Sequence, residues 1–384
     1  MVRINRIDVY PLRFPMKQSF RISGGTVGAL SEGAPHVYVC VTGDNGMCGW
    51  GEARPSPKWS YETPETVVSV INRYWKPVLV GERADDLLRL QRLIAKETAG
   101  SLHPGHPIAR AAVDTALHDL LAKSLGIPLP GLWQSSPEGE MSLSYLISTD
   151  DPFIAAEKAR AAKDEGYKGV DVKIGLNPAL DIEILEAVKA EAPGLFFRVD
   201  ANQAYTLHEA RILAQQMARI GVDVFEQPLP AGQLTACAEL RRKSPVPIAL
   251  DESIWSPAGL IEAIRCEACD YAVIKLTKMG GLAGAKLCGE IARESGLGLL
   301  GGGLTESKLG FMASAHLFRY LDIRPPVDLN GPFFLQDDAV DGEWPLQGDS
   351  VVLAEAPGIG CYINSSKLEL YLDRKLSLGG DELT

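Results

Sequence analysis

The chain has 384 residues, of which 46% are hydrophobic and 23% charged, a composition typical of a globular enzyme with room for two domains and a large core. Its net charge of −11 argues against nucleic acid or an anionic membrane as a partner, and no apolar run is long enough to span a membrane. The start has no signal-peptide core and the seven cysteines are an odd, scattered set, so we expect a cytoplasmic protein with reduced thiols.

The N-terminal part predicts an α+β domain. Runs of alternating residues predict a strand meander, and helical patterns follow it; the clearest has Pro107 in its first turn and ends at Gly126. The predicted strands are 3–11, 36–41 and 49–52, and the predicted helices are 63–75, 85–98 and 107–125. We expect this capping domain to span residues 1–130 and to be joined by the C-terminal segment, about 345–384, which has short strand-like runs at 350–353 and 368–372.

From about residue 140 to 340, short strand patterns alternate with helical ones. The first strand is predicted from Ser142, the first helix at 152–164, the seventh strand at 296–300 and the eighth at 323–329. A strand, a helix and two turns need about 25 residues, which is the repeat of a parallel βα barrel.

Five charged residues, Lys173, Asp200, Glu226, Asp251 and Lys275, each close one of these strand patterns, with gaps of 27, 26, 25 and 24 residues. The carboxyl ends of barrel strands meet at one face, where the chemistry of such barrels takes place. Three carboxylates on neighbouring strands make an oxygen-rich site suited to Mg²⁺. The flanking lysines supply two bases that face each other across the barrel mouth.

Several short motifs stand in order at barrel spacing. They are Val199–Asp200–Ala201–Asn202, Glu226–Gln227–Pro228, Asp251–Glu252–Ser253, Lys275–Leu276–Thr277–Lys278 before Gly280–Gly281, the segment 303–307 with Glu306, and Asp328–Leu329–Asn330–Gly331–Pro332. Together they resemble the enolase superfamily, and within it the muconate-lactonizing and mandelate-racemase-like enzymes, over essentially the whole chain. The resemblance implies a modified (β/α)₇β barrel of the TIM type beneath an N-terminal α+β capping domain.

The resemblance also implies roles for the five strand-end residues. Asp200, Glu226 and Asp251 would bind Mg²⁺, with Mn²⁺ as a substitute, and Lys173 and Lys275 would act as acid and base on opposite faces of a substrate carbon. The proton next to a carboxylate is very weakly acidic, because its removal creates a dianionic enediolate. A metal ion on that carboxylate stabilises the developing charge.

The chain departs from these relatives at Asp171, where the usual Lys-x-Lys motif of the second strand has its first lysine. Residues two apart on a strand face the same side, so a carboxylate at 171 should raise the pKa of Lys173 and hold it charged. Our hypothesis is that Asp171 favours a positively charged substrate, such as an amino acid derivative or a betaine.

Other substrate contacts are expected from Asn202, Glu306, Asp328 and Asn330. Asp328 is half of the Asp-x-Asp pattern with which dipeptide epimerases hold an ammonium group, although a loop-capping role explains it equally well. Specificity loops of the capping domain are expected at 20–26, as a glycine-containing lid, and at 56–61. There Trp59 and Tyr61 either shield a quaternary ammonium group or serve as ordinary apolar cover.

The expected reaction on a small-molecule carboxylate leaves alternatives open. Racemisation or epimerisation of an amino-acid-like or betaine substrate comes first, and cycloisomerisation of a muconate-type diacid next. A dehydratase acting on a hydroxyproline or a sugar acid is the main alternative, and a non-catalytic carboxylate-binding relative is the third. Relatives of this kind imply a homo-oligomer, either a dimer or an octamer.

Overall fold

A computed structural model describes residues 2–22, 25–100, 105–136, 139–353 and 355–377. In the capping region an antiparallel sheet in the order β1-β4-β5 is followed by helices, with a short hairpin, β2–β3, between its first two strands. The elements are β1 (Ile4–Phe14), β2 (Phe20–Ile22), β3 (Gly25–Gly28), β4 (Ala34–Gly43), β5 (Cys48–Ala53), α1 (Pro64–Val70), α2 (Lys76–Leu79), α3 (Leu87–Glu97) and α4 (Pro107–Leu125), with a π-helical turn at Ile71–Trp75 and a 3₁₀ helix at Leu129–Trp133.

Helix α4 lies against the sheet at van der Waals distance. An added Cβ at Gly49 would lie 2.1 Å from the carbonyl oxygen of Ala116, and one at Gly51 would lie 2.0 Å from that of Ala112. Only glycine permits this approach, so the Gly-Trp-Gly-Glu sequence of β5 fixes the packing of strand on helix. The bounds of α4 are as predicted, and Gly126, which ends the helix, has a left-handed conformation.

The barrel region contains a seven-stranded parallel sheet in the order β12-β11-β10-β9-β8-β7-β6, with a helix between each pair of successive strands. Its elements are β6 (Tyr145–Ser148), α5 (Pro152–Asp164), β7 (Gly169–Lys173), α6 (Pro178–Glu191), β8 (Phe196–Asp200), α7 (Leu207–Ile220), β9 (Val224–Glu226), α8 (Leu234–Arg241), β10 (Ile248–Leu250), α9 (Pro257–Arg265), β11 (Tyr271–Ile274), α10 (Leu282–Glu294), β12 (Gly298–Gly301) and α11 (Lys308–Tyr320).

Two residues close this sheet into a barrel. Val327 pairs in parallel with Leu143, just before β6, and Asp328 pairs with Gly302, just after β12. The predicted eighth strand at 323–329 is therefore too long, since only Val327 and Asp328, near its end, make ladder contacts. The seventh strand is shifted by one or two residues from the predicted run, and the first strand begins three residues later than predicted.

The C-terminal segment contains α12 (Gly331–Phe334), β13 (Leu346–Gln347), β14 (Ser350–Val351), α13 (Ser365–Leu370) and α14 (Arg374–Ser377). The predicted strand at 368–372 is wrong, because Asn364 caps a helix there by accepting a hydrogen bond from the Lys367 amide. Leu372 pairs with Leu12 of β1, so this segment contacts the capping sheet. The domain limits suggested by the sequence stay a prediction.

The first predicted specificity loop, 20–26, forms most of the β2–β3 hairpin; Ser23 and Gly24 lie outside the described residues. The chain leading into it lies against the segment after the eighth strand. The ring centroids of Phe20 and Phe334 are 4.5 Å apart, and Met16 pairs with Leu335. Among the described residues, no helix has both the length and the apolar character that a membrane span requires.

Candidate active site

Five charged side chains gather where the barrel strands end. Lys173, Asp200 and Glu226 are the last residues of β7, β8 and β9, and Asp251 and Lys275 directly follow β10 and β11. The register sets Lys173 opposite Asp200 and Asp200 opposite Glu226, so these residues lie at one level. All five are buried. The structure thus brings together the residues that the spacing selected, while their individual roles stay predictions.

Lys173 is surrounded by carboxylates. Its Nζ donates to Asp200 Oδ2 at 2.9 Å and to Asp328 Oδ2 at 3.1 Å, and it lies 3.3 Å from Asp171 Oδ1. Burial alone would lower the pKa of Lys173, but Asp171, Asp200 and Asp328 outweigh it and raise this pKa well above its ordinary value. The direction agrees with the effect expected of Asp171, and it keeps Lys173 in its protonated form.

Lys275 makes one close ion pair and one aromatic contact. Its Nζ donates to Asp251 Oδ2 at 2.6 Å and lies 5.2 Å from the centre of the Trp59 ring. Burial lowers the pKa of Lys275 and Asp251 raises it, with a net rise. Lys278 approaches the other side of Asp251, 2.6 Å from its backbone oxygen and 2.8 Å from Oδ1.

The three strand-end carboxylates have the right chemistry for a hard divalent cation, since all of their donors are oxygens. In the part of the chain that the structure describes, no three carboxylate, thiolate or imidazole groups stand close enough to hold a metal ion as they lie. Asp200 and Asp251 turn toward Lys173 and Lys275 instead. Binding a metal would therefore replace these ion pairs.

The electrostatics at Glu226 and Glu252 nevertheless fit a cation. Glu226 Oε1 has no hydrogen-bond partner among the described residues. Burial raises the pKa of Glu226 against the opposing effect of Arg198, and Asp200 and Asp251 raise it further. Burial and the same two aspartates raise the pKa of neighbouring Glu252 to about 8. Negative charge is thus in excess here, and a divalent ion would supply what is missing.

Arg198, which the sequence reading did not select, is fully buried at the centre of the barrel. Its guanidinium contacts Glu226, lies 3.4 Å from Asp171 and donates to the carbonyl oxygen of Gly301 at 2.9 Å. The signal was available, because Arg198 precedes Asp200 by two residues and so faces the same side of β8. Asp171 therefore has two cations of the protein beside it, Arg198 and Lys173.

Asn202 and Asn330, which the sequence predicts as substrate contacts, form hydrogen bonds to other groups of the protein. Asn202, with a left-handed φ of 41°, donates through Nδ2 to Asp200 Oδ2 at 3.0 Å and to Glu252 Oε1 at 3.2 Å. Asn330 Oδ1 accepts from the amide of Thr305 at 3.0 Å. The first contact orients a carboxylate of the site, and the second fixes the backbone next to Glu306.

The remaining barrel candidates also lie at the mouth. Glu306 accepts hydrogen bonds from Thr277 Oγ1 at 2.9 Å and from the Leu304 amide at 2.6 Å. Asp328, by its contact with Lys173, lies inside the charged cluster rather than capping a loop on the surface. Its buried position keeps it among the candidates for substrate contact.

The second predicted specificity loop, residues 56–61 of the capping region, contacts the barrel near its mouth. Trp59 packs on Trp255 of the barrel with ring centroids 5.1 Å apart, and Tyr61 is 54% exposed. Both Trp59 and Tyr61 line a cavity of about 350 Å³, together with Glu252. Trp59 covers Lys275, which is a specific contact that neither sequence alternative foresaw.

The structure is a parallel βα barrel beneath an α+β domain, and acidic and basic residues close its successive strands. This arrangement is that of a barrel enzyme with its active site at the carboxyl ends of the strands. Residues 154–367 match the family described as Enolase C-terminal domain-like, and residues 6–133 match the Mandelate racemase / muconate lactonizing enzyme, N-terminal domain. The chain belongs to this mandelate racemase and muconate lactonizing enzyme group of the enolase superfamily, which confirms the resemblance and the barrel fold.

Curated relatives align over nearly their full length. A chloromuconate cycloisomerase of Pseudomonas putida is 29% identical over 96% of this chain and 98% of the relative. An N-succinyl-L-Arg/Lys racemase of Bacillus cereus is 27% identical, covering 96% and 97%. An L-Ala-D/L-Glu epimerase of Bacillus subtilis is 28% identical, covering 94% and 96%. These relatives are all isomerases, so the predicted enzyme class is confirmed.

Solved structures agree with this placement. The N-succinyl Arg/Lys racemase from Bacillus cereus superposes with a TM-score of 0.91 at 26% identity, covering 97% of this chain and 98% of that one. A dipeptide epimerase from Enterococcus faecalis, complexed with Mg and the dipeptide L-Leu-L-Tyr, superposes with a TM-score of 0.87 at 25% identity, covering 94% and 99%. Magnesium is thus used within the family.

Proposed function

We propose that this protein is a Mg²⁺-dependent isomerase that moves the proton α to the carboxylate of a small organic acid, with racemisation or epimerisation of an amino-acid-like or betaine substrate as its reaction. The observation that carries the proposal is the pair of buried lysines, Lys173 on the second barrel strand and Lys275 after the sixth, on either side of three carboxylate-bearing strands. Two acid–base groups on opposite sides of one carbon are what inversion at that carbon requires.

Asp200, Glu226 and Asp251 would hold the Mg²⁺, or Mn²⁺ in its place. When bound, the ion would polarise the substrate carboxylate and stabilise the negative charge of the enediolate. Lys173, protonated among Asp171, Asp200 and Asp328, is the group that would deliver a proton at its Nζ.

Lys275 would remove the proton from the opposite face. It must lose its own proton first, so its ion pair with Asp251 must loosen when Asp251 turns to the metal. Release from this ion pair would leave Lys275 able to act as a base, and the two lysines would exchange roles in the reverse direction.

Cycloisomerisation of a muconate-type diacid is the second form of this proposal, because curated relatives include chloromuconate cycloisomerases. It needs only one of the two lysines as a proton donor, whereas racemisation needs both.

We further propose that the protein is a cytoplasmic homo-oligomer, either a dimer or an octamer.

Proton NMR in D₂O with Mg²⁺ tests the reaction on N-acyl amino acids, dipeptides, proline betaine, hydroxyprolines, sugar acids and cis,cis-muconate. A racemase exchanges the α-proton of both enantiomers; Lys275→Ala should abolish exchange from one enantiomer and Lys173→Ala from the other. Loss of water without racemisation would identify a dehydratase instead. Bound Mg²⁺ with no exchange in any compound would contradict the proposal.

A further inference from the structure

Arg54, the residue after β5, is a fully buried cation of the capping region that the proposed chemistry does not use. Its Nη1 donates to backbone oxygens of the same region, to that of Pro55 at 2.9 Å and to that of Pro35 at 3.1 Å. Its Nε reaches the barrel and donates to Thr305 Oγ1 at 3.1 Å. Because a guanidinium is costly to bury, this contact with a single threonine needs a structural reason.

Thr305 has a backbone conformation that it would not adopt unaided. Its φ of 54° lies in the left-handed region, which a β-branched residue avoids because its side chain crowds the backbone. The hydroxyl of Thr305 accepts from Arg54, and its amide donates to Asn330 Oδ1 at 3.0 Å. Such a strained residue persists only where its surroundings fix it, and strained residues are concentrated at functional sites.

The residue that this conformation directs is Glu306, a predicted substrate contact. Its Oε2 accepts from the amide of Leu304 at 2.6 Å, and its Oε1 accepts at 2.9 Å from Thr277 Oγ1, two residues after Lys275. The backbone of Gly302 lies against the same lysine, since an added Cβ there would be 2.6 Å from Lys275 Cε. The carboxylate of Glu306 is thus fixed beside the strand end that carries one of the proposed proton-transfer groups.

The residue that follows Glu306 is also held from β5. Glu52, two residues before Arg54, accepts from the amide of Ser307 at 2.9 Å and from its hydroxyl at 2.5 Å. The end of β5 therefore holds the chain on both sides of Glu306. Burial lowers the pKa of Arg54 to about 10, and Glu306 and Glu52 oppose this effect, so the three charges act on one another.

We propose that Arg54 is a positioning residue for the proposed isomerase, which holds Thr305 in its left-handed conformation and thereby fixes the carboxylate of Glu306 at the barrel mouth. Nη2 of Arg54 also lies 3.5 Å from the backbone oxygen of Val27 in the β2–β3 hairpin, and Pro55 directly precedes the second specificity loop. A movement of either loop would therefore reach Glu306 through Arg54. The inference rests on the proposed function, because Glu306 would meet the substrate of that reaction.

Hydrogen exchange tests the positioning without turnover. The Leu304 amide exchanges when its bond to Glu306 opens, so Arg54→Met should speed its exchange with D₂O about tenfold, as measured by mass spectrometry. Thr305→Val, which removes the hydroxyl, should do the same, and the double substitution should add less than about twofold to either. The Gly310 amide on the same segment should be unaffected. Faster exchange at both amides in Arg54→Met would mean general unfolding, and Thr305→Val would then decide.

Arg241→Met is the matched control. Arg241 pairs with Asp270 at the amino-terminal end of β11, so its loss should leave exchange at Leu304 unchanged. Thr305→Ser keeps the hydroxyl and should keep exchange slow. Unchanged exchange at Leu304 in Arg54→Met would overturn the inference, as would equally fast exchange in Arg241→Met.

Turnover provides a second measurement, with whichever compound the NMR screen identifies. Arg54→Met should lower kcat/KM about tenfold, but less than about twofold in the Glu306→Gln background, because Arg54 acts through that carboxylate. Equal losses in the two backgrounds would show that Arg54 does not act through Glu306 and would overturn the inference.

The two proposals fail in different ways. A response of the Leu304 amide to Arg54→Met, without α-proton exchange in any compound, would remove the isomerase and leave Arg54 as the residue that positions Glu306. Exchange of α-protons by a protein whose Leu304 amide does not respond to Arg54→Met would do the reverse.

Discussion

Arg198 neutralises two carboxylates from neighbouring strands at the bottom of the charged cluster. It contacts Glu226, a proposed metal ligand, and Asp171, the residue that distinguishes this chain from the usual Lys-x-Lys pattern. A lysine at position 171 would stand beside this guanidinium as a second buried cation, whereas Asp171 completes an alternation of negative and positive groups. The aspartate at position 171 is therefore balanced by Arg198 within the protein, independently of any contact with the substrate.

Replacing Arg198 with methionine should destabilise the protein by about 3–5 kcal/mol, because it leaves Asp171 and Glu226 buried with less positive charge. Urea unfolding at pH 7.5 measures the loss. Arg160→Gln is the control, since Arg160 forms a solvent-exposed pair with Glu191, and it should have little effect. If the two substitutions cost the same, the buried network is not a net stabilising element.

At the scale of elements, α11 connects the barrel to both other parts of the chain. Its first turn is capped by Glu52 of β5, which accepts from the amides of Ser307 at 2.9 Å and Gly310 at 2.7 Å. Its middle carries His316, which is fully buried and donates from Nε2 to the carbonyl oxygen of Ile359 at 3.3 Å. Helix α11 thus depends on the negative charge of Glu52 at its first turn and on an uncharged His316 in its middle.

Glu52→Gln should cost about 2 kcal/mol, because an amide group replaces a negative charge at a buried helix N-terminus and turns an NH₂ toward backbone N–H groups. Thermal unfolding at neutral pH measures this. The matched control is Glu209→Gln at α7, where an exposed carboxylate caps a helix with Thr206. That change should cost clearly less, and an equal cost would show that burial adds nothing to the cap.

His316 predicts a pH dependence of stability. Burial lowers the pKa of His316 to about 4, against the opposing effect of its hydrogen bond to Ile359, and Nδ1 has no partner within the described residues. The unfolded chain binds this proton near pH 6.5 and the folded chain only near pH 4, so stability is lost as pH falls from 6.5 to 4.

The loss amounts to about 3 kcal/mol for a shift of this size. It should appear as the difference between the pH profiles of the unaltered protein and His316→Gln, measured by urea unfolding between pH 7.5 and 4. Parallel profiles over this range would contradict the assignment of a neutral, buried imidazole.

For the whole molecule, the sequence is most informative where the structure is local and repeated. The 24–27-residue spacing located Lys173, Asp200 and Glu226 at strand ends because each repeat is one strand and one helix, and strand direction then decides the face. The length of the eighth strand was overestimated, because this strand pairs through only Val327 and Asp328. The neighbouring strands decide how many residues of a strand are paired.

Contacts between distant parts of the chain could not be predicted in this way. These contacts are Trp59 on Lys275, Glu52 on α11 and Arg198 between Asp171 and Glu226, and they join residues 27–258 positions apart. No local pattern encodes which of several buried groups will meet. The signal in the sequence at Arg198 and Glu52 was a charged residue within a strand pattern, because such a residue needs a partner once it is buried.

Metal binding should couple the barrel mouth to the stability of the whole molecule. Asp200, Glu226 and Asp251 belong to three adjacent strands, so an ion held by all three binds the folded chain only. Mg²⁺ at about 100 times its dissociation constant should therefore raise the free energy of unfolding by about 2.7 kcal/mol. Differential scanning calorimetry with and without EDTA measures the shift.

The shift should be saturable and should follow the logarithm of free Mg²⁺ above the dissociation constant, which separates site binding from general ionic strength. Asp251→Asn should remove most of the Mg²⁺ effect, because it takes one charge from the proposed ligand set and leaves Lys275 and Lys278 without their counter-ion. Asp270→Asn, at a partly exposed carboxylate that pairs with Arg241 at the opposite, amino-terminal end of β11, should keep the full response. A response to Mg²⁺ that survives Asp251→Asn would place the ion elsewhere in the molecule.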